Sequence, residues 1–217
     1  MDQAAYFAQM REKRKNEILD MTREMILSEG ILSFQMQQLA KRMDVSNVTL
    51  YKYFKNSQDV MTALRDRTLR VRREGSFSQV KKKEEADPAE EFFSCFQKVY
   101  GQLLENREDL TLLAVLEGYL RGQAEEIGPR EYLRFLTGRS FEELLSLLEQ
   151  AREEGELSGS ADEKKLEETL DFIADLNMAM IRQIALLENA VFEEKKDGLR
   201  RELEGLCWMY RLFLEQY

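Results

Sequence analysis

Proline occurs only twice in the 217 residues, at Pro88 and Pro129, and this scarcity restricts the fold more than any other feature. Proline removes a backbone donor and clashes with the preceding helical turn, so it interrupts helices or sits in their first turns. Here it leaves long stretches uninterrupted, and in them apolar residues recur at intervals of three and four. No period-two alternation and no internal repeat stands out. The pattern implies an all-α protein. Apolar residues make up 43% of the chain and charged residues 34%, too apolar for disorder. The length suits a small module joined to a larger body.

The N-terminal part reads as four helices. The first runs from about Tyr6 to Ser28, with Ile18, Met21, Met25 and Ile26 at helical spacing and Gly30 as its stop. A short helix from Met36 to Met43 places Met36, Leu39, Ala40 and Met43 on one inward face. A polar turn follows, and Ser46 is a natural N-cap for a second short helix to about Tyr53, with Leu50 and Phe54 turned inward. Asn56 or Ser57 opens a longer helix carrying Val60 and Leu64. Two short helices joined by a tight turn and flanked by longer ones form a helix-turn-helix module. The outer face of its second short helix is Val48, Tyr51, Lys52 and Lys55, with Ser46, Asn47 and Thr49 beside them. Such groups bond to phosphates and base edges, which points to double-stranded DNA.

Charge divides along the chain in the same sense. Residues 1–83 hold 17 Lys/Arg against 10 Asp/Glu, and residues 84–217 hold 15 against 31. The overall charge of −9 therefore conceals a module at +7 and a body at −16, the division expected of a DNA-binding protein with a separate regulatory body. Arg11, Lys13 and Arg14 form a basic N-terminal arm able to add phosphate contacts. The basic run from Arg65 to Lys83 reads as a solvated face, and helical periodicity fails between Gly75 and Pro88. The expected organisation is a DNA-binding domain over 1–60, a connecting helix and basic linker over 61–83, and a helical ligand-binding and dimerisation domain over 84–217.

Several functions are excluded. The chain has no histidine, which removes histidine-based triads and every metal site that needs imidazole. Its two cysteines, Cys95 and Cys207, cannot build a zinc site by themselves and read as reduced thiols. No cofactor, metal or catalytic residue is expected. The polar segment Met1 to Lys15 is unlike a signal peptide, and no apolar run approaches the ~18–20 residues of a membrane span. The expected location is the cytoplasm.

The segments Glu17-Ile18-Leu19 through Ser28-Glu29-Gly30, Leu39-Ala40-Lys41-Arg42, and above all Val45-Ser46-Asn47-Val48-Thr49-Leu50-Tyr51-Lys52-Tyr53-Phe54 resemble the DNA-binding module of the TetR family of transcriptional regulators. The resemblance covers about residues 10–65. It implies a homodimer whose recognition helices enter successive major grooves of a palindromic operator, and a C-terminal body that binds a small molecule and dimerises through its last two long helices. Repression is that family's default. By motif position it assigns Thr49, Tyr51, Lys52 and Tyr53 to DNA contact, together with Gln35 and Gln37 at the preceding helix. Three residues depart from the pattern. Asp44 replaces a frequent glycine in the turn, which Asp tolerates by adopting left-handed φ. Val48 replaces a small residue and offers an apolar contact, such as to a thymine methyl. Ser57 replaces a lysine, leaving a hydroxyl and helix N-terminal amides for the phosphate.

Five helices are expected in the body, near 88–105, 109–121, 129–154, 161–189 and 197–217. Leu199, Leu203, Leu206, Tyr210, Phe213 and Tyr217 are spaced 4, 3, 4, 3 and 4 apart, a heptad seam. The first five are the expected dimer interface. Phe172 to Ile181 is apolar nearly all round, so both its faces need covering, by this chain or by a second copy. Phe92, Phe96, Tyr100, Leu113, Leu116, Tyr119, Phe135, Phe172 and Leu176 are the candidate lining of an effector pocket, plain core being the alternative for each. Glu117 and Asp175 stand alone in apolar runs; each reads either as an exposed or Arg-paired acid or as a buried one that would favour a cationic effector. Glu163, Glu167, Asp171 and Asp175 recur every four residues, but a di-metal bundle would add histidines, so they read as a solvated stripe. Control by a protein partner is the alternative to a small effector, and a helical-bundle enzyme is a remote one.

Overall fold

The computed structural model describes residues 3–75, 87–157 and 162–216. Residues 76–83 of the expected linker, with Lys81, Lys82 and Lys83, and Tyr217 lie outside the described residues. Ten α-helices follow in order: α1 Gln3–Glu29, α2 Met36–Arg42, α3 Asn47–Tyr51, α4 Ser57–Gly75, α5 Pro88–Glu105, α6 Glu108–Leu120, α7 Pro129–Thr137, α8 Phe141–Glu153, α9 Glu163–Ala185 and α10 Asn189–Gln216. A 3-10 turn, Ile31–Ser33, follows α1, and among the described residues there is no strand. None of the described helices is long and apolar enough to cross a membrane.

The chain divides into two compact units, one of residues 1–68 and 112–126, the other of 69–111 and 127–217. In the first, Gly30 ends α1 with φ 83°, its N–H bonded to the Ile26 carbonyl at 3.0 Å. Ile18, Met25, Leu39, Leu50, Phe54, Met61 and Leu64 form the core, joined by Leu112, Leu116 and Leu120 from α6. Residues 112–126, expected in the body, thus pack with the helix-turn-helix. The four-residue spacing of those leucines makes one stripe, and burying it in this core fixes the segment. Two hydrogen bonds hold the chain beyond it: Gln58 donates to the Gln123 carbonyl at 2.9 Å and Arg65 to the Glu125 carbonyl at 2.6 Å.

In the second unit α7 packs on α9, and α5 packs on both α8 and α10. The stretch 129–154, expected as one helix, is two. Gly138 adopts φ 74° and closes α7, and Ser140 opens α8 through a capping box with Glu143, each side chain bonded to the other's backbone N–H. The last two helices meet earlier than expected, with α9 ending at Ala185 and α10 starting at Asn189. Arg107 secures that corner by donating to the carbonyls of Ile184 and Ala185 at 3.0 and 3.1 Å and to Asn189 Oδ1 at 2.6 Å. It also covers the Phe192 ring at 4.4 Å, and Thr111 donates to the Ala185 carbonyl at 2.7 Å.

Candidate nucleic-acid interface and the helical body

The turn between α2 and α3 sets the reading face. Asp44 has φ 51°, the only left-handed non-glycine among the described residues, so the carboxylate residue does take the conformation that glycine would supply. Val45 N–H then bonds the Ala40 carbonyl at 3.0 Å, and the chain reaches Ser46 in extended geometry. Ser46 caps α3: its hydroxyl accepts from Thr49 N–H at 3.1 Å and lies 2.9 Å from the Thr49 hydroxyl. Leu50 anchors the helix from below, 1% exposed. Val48 and Tyr51 stand outward at 69% and 50% exposure, with Asn47, Lys52 and Lys55 also exposed. An exposed valine and tyrosine on a five-residue helix contribute nothing to the core, and their placement suits a surface that meets another molecule.

Other expected contacts are placed less uniformly. Gln35 and Gln37 are exposed at the start of α2. Thr49 and Tyr53 are half-buried, and Tyr53 packs on the core. Ser57, half-buried, begins α4, while Asn56 supplies the cap by accepting from Asp59 N–H at 2.8 Å. The side chain of Asp59 in turn accepts from Lys55 N–H at 3.0 Å. Arg11 and Lys13 are exposed on α1, but Arg14 is ion-paired with Glu17 at 2.6 Å.

The residues expected to line one effector pocket are divided between the two units. Leu113, Leu116, Glu117 and Tyr119 belong to the first unit, Leu116 within its core. Phe92, Phe96 and Phe135 are core residues of the second unit, with the Phe92 and Phe96 rings 5.2 Å apart. Phe172 is 49% exposed, and Asp175 is exposed rather than enclosed among apolar neighbours. Both lie on the outward face of α9, with Leu176 half-buried beside them. Two members of the carboxylate stripe are paired: Arg130 donates to both oxygens of Asp171 at 2.6 Å and to Glu167 at 3.0 Å, while stacking on Phe141.

The residues of the expected dimer seam lie mostly inside their own chain. Leu199, Leu203, Leu206 and Tyr210 are buried inside their own chain, where α10 packs on α5 and α9. Heptad spacing identifies one apolar face of a helix but not what covers it, and here the covering helices are internal. Phe213 is half-buried against Phe172, their rings 5.6 Å apart. The outward face of α10 instead carries Trp208, 65% exposed, with Leu212 one turn on. The isolated tryptophan was the available sequence signal for this face.

A buried polar trio joins the three helices behind that surface. The Tyr100 hydroxyl donates to Asn177 Oδ1 at 2.7 Å, and Asn177 Nδ2 donates to the Tyr210 hydroxyl and to the Ile173 carbonyl, each at 2.8 Å. Burial pushes Tyr210 up to about 12 and raises Tyr100 well above the usual phenol range. Both cysteines are free and buried, and burial lifts the Cys207 thiol to about 11. Each therefore stays protonated at neutral pH and makes no reactive thiolate.

Comparison with known proteins agrees with this geometry. Residues 18–64 match the profile described as bacterial regulatory proteins, tetR family. No curated protein matches the sequence. Among solved structures the chain is similar to a TetR transcription regulator from Haloarcula marismortui, with 15% identity and a TM-score of 0.61 over 94% of this chain and 98% of the other. Looser similarities include a possible TetR-family regulator from Streptomyces coelicolor, at 18% identity and TM-score 0.49 over 93% and 97% of the two chains. Thermus thermophilus FadR, solved with lauroyl-CoA, gives 17% and 0.48 over 90% and 92%. Residues 18–64 thus carry the DNA-binding module of the TetR family of bacterial regulatory proteins, on a chain with the all-helical fold of a TetR regulator.

Proposed function

We propose that this protein is a transcriptional repressor that binds a palindromic operator as a homodimer and is released by a small apolar effector. The observation that carries the reading is the outward presentation of Val48, Tyr51 and Lys52 on a helix whose cap and turn are fixed by Ser46 and Asp44. Tyr51, Lys52 and Lys55 reach phosphates, Val48 and Asn47 reach base edges, and Gln35 and Gln37 position the module on the backbone. The basic arm of Arg11 and Lys13 adds phosphate contacts outside the half-site.

Two modules on one palindrome require a two-fold partner. The outward stripe of Phe172, Leu176, Trp208, Leu212 and Phe213 supports a dimer through the outer faces of α9 and α10. Release follows if the effector favours a dimer conformation whose two modules no longer match the operator.

The test is operator selection from a random library followed by binding of wild type and the Tyr51→Ala plus Lys52→Ala variant. The variant should lose most of its affinity without loss of helicity. Wild-type affinity should fall by about 10³–10⁵ between 50 and 200 mM salt if ~6–10 phosphates are neutralised. Selection of no sequence, or equal binding by the double variant, would remove α3 as the reading helix.

A further inference from the structure

α5 and α10 run antiparallel, held at one end where Arg211 pairs with Glu90 at 3.3 Å and covers the Phe93 ring at 4.7 Å. The next contact along is Phe96 with Tyr210, rings 5.5 Å apart. Beyond it a cleft of about 460 Å³ is lined by residues of both helices. Tyr100, Leu104, Leu203 and Cys207 give it a buried floor.

Gly101 stands in the middle of this cleft and in the interior of α5. A helical glycine costs about 0.5–1 kcal/mol relative to alanine. Close packing is a common reason to keep one, but a Cβ at Gly101 would meet nothing within 4 Å. Its effect is instead to leave the cleft open.

The rim is charged. Glu105 and Glu204 face a single cation there, Arg200, and none of the three forms an ion pair among the described residues. The thiol of Cys207 is neutral at pH 7, and the net charge of residues 84–217 is −16. Both the rim and the surrounding field therefore favour a positive group.

We infer that this cleft binds an amphipathic organic amine, its apolar part on the Tyr100, Leu104 and Leu203 floor and its ammonium at the Glu105 and Glu204 rim. The inference rests on reading the body as effector-responsive and gives that effector a place and a chemical class. Charge selection thereby moves from Glu117 and Asp175 to Glu105 and Glu204.

Calorimetry on the full chain with 4-phenylbutylamine, 4-phenylbutan-1-ol and 4-phenylbutyrate tests it. The amine should bind about tenfold tighter than the alcohol, the combined effect of two exposed ion pairs, and the carboxylate weakest. Gly101→Leu should abolish amine binding while raising thermal stability, so loss of binding is separable from loss of fold. Glu105→Gln with Glu204→Gln should reduce the amine to the affinity of the alcohol. Equal binding of the three probes, binding unaffected in Gly101→Leu, or no binding of any probe would overturn the site. Operator release is read separately. Amine binding that depends on Gly101 but releases no operator upholds the site and removes its regulatory role. Amine-driven release that persists in Gly101→Leu upholds effector control and overturns the cleft.

Discussion

In the helix-turn-helix, eight consecutive residues from Asp44 to Tyr51 set the turn, cap the helix, anchor it and present its outer face. Around the α9–α10 pair the corresponding tasks are distributed over about a hundred residues, from Arg107 to Tyr210. Leu203 and Tyr210 hold α10 to its neighbours, Arg107 fixes the corner, and Trp208 and Phe172 make the surface. A local device has a sequence signature because each residue type is dictated by its own backbone position. A distributed one has only periodicity, which specifies a face and not its occupant.

The largest effect should separate the two faces of α10. Leu203→Glu places a carboxylate where the side chain is 1% exposed, and an uncompensated buried charge costs several kcal/mol. That variant should lose its cooperative melt. Trp208→Glu with Leu212→Glu changes only the outward stripe, so the melt should survive and sedimentation should show a monomer. Trp208 is the only tryptophan, and its emission in wild type should shift to the red on dilution as the dimer dissociates and the indole meets water. A double variant that sediments as the wild type does would move the interface off α10, and the contrast between the faces would lose its meaning.

How far each region was legible follows from the same distinction. Ser46 as cap, Asp44 in left-handed geometry, and Leu50 inward with Val48 and Tyr51 outward could all be read from residue chemistry. The split of 129–154 was also written locally, in Gly138 and in Ser140 with Glu143, but the strong helical period on either side masked it. The inward direction of the Leu199 to Tyr210 seam was not written anywhere local. It depends on α5, about a hundred residues earlier, offering a complementary face. The placement of 112–126 in the first unit is of the same kind, since an apolar stripe fits any core of the right shape.

A middle-sized effect concerns pH and should appear only in the body. Cys207 rises from 9.0 to about 11 and Tyr210 from 10.0 to about 12, both mainly through burial. Well below pH 9 each is neutral in both folded and unfolded chains, and their contribution to stability is fully present. Above it the unfolded chain releases its protons first, so stability falls as pH rises from about 9 through 12. Melting temperatures across that window should drop by several degrees, at about 2–4 °C per kcal/mol for a chain of this size. Cys207→Ala should delay the onset toward pH 10. Superimposable profiles for the variant and wild type would mean that the buried thiol does not titrate with unfolding. Asn177→Leu, which leaves the Tyr100 and Tyr210 hydroxyls without their amide partner, should cost about 1–3 kcal/mol at neutral pH.

The smallest effect returns to the module and tests how local its device is. Asp44 occupies left-handed backbone at φ 51°, a conformation that costs a typical L-residue roughly 1–2 kcal/mol and asparagine or aspartate less. Asp44→Gly removes that strain but frees the unfolded chain, and the two changes oppose each other. Stability should therefore move by less than about 1 kcal/mol, and operator affinity by less than threefold, since the α3 geometry is preserved. Asp44→Val keeps the Cβ and adds β-branching at positive φ, so it should be destabilising by about 2 kcal/mol or more. It should weaken DNA binding further than its stability loss accounts for, because the turn aims α3. Chemical denaturation and operator titration on the two variants measure both quantities. If valine were as benign as glycine at this position, the turn would not be what orients the reading face, and the module's residues would be no more locally determined than those of the body.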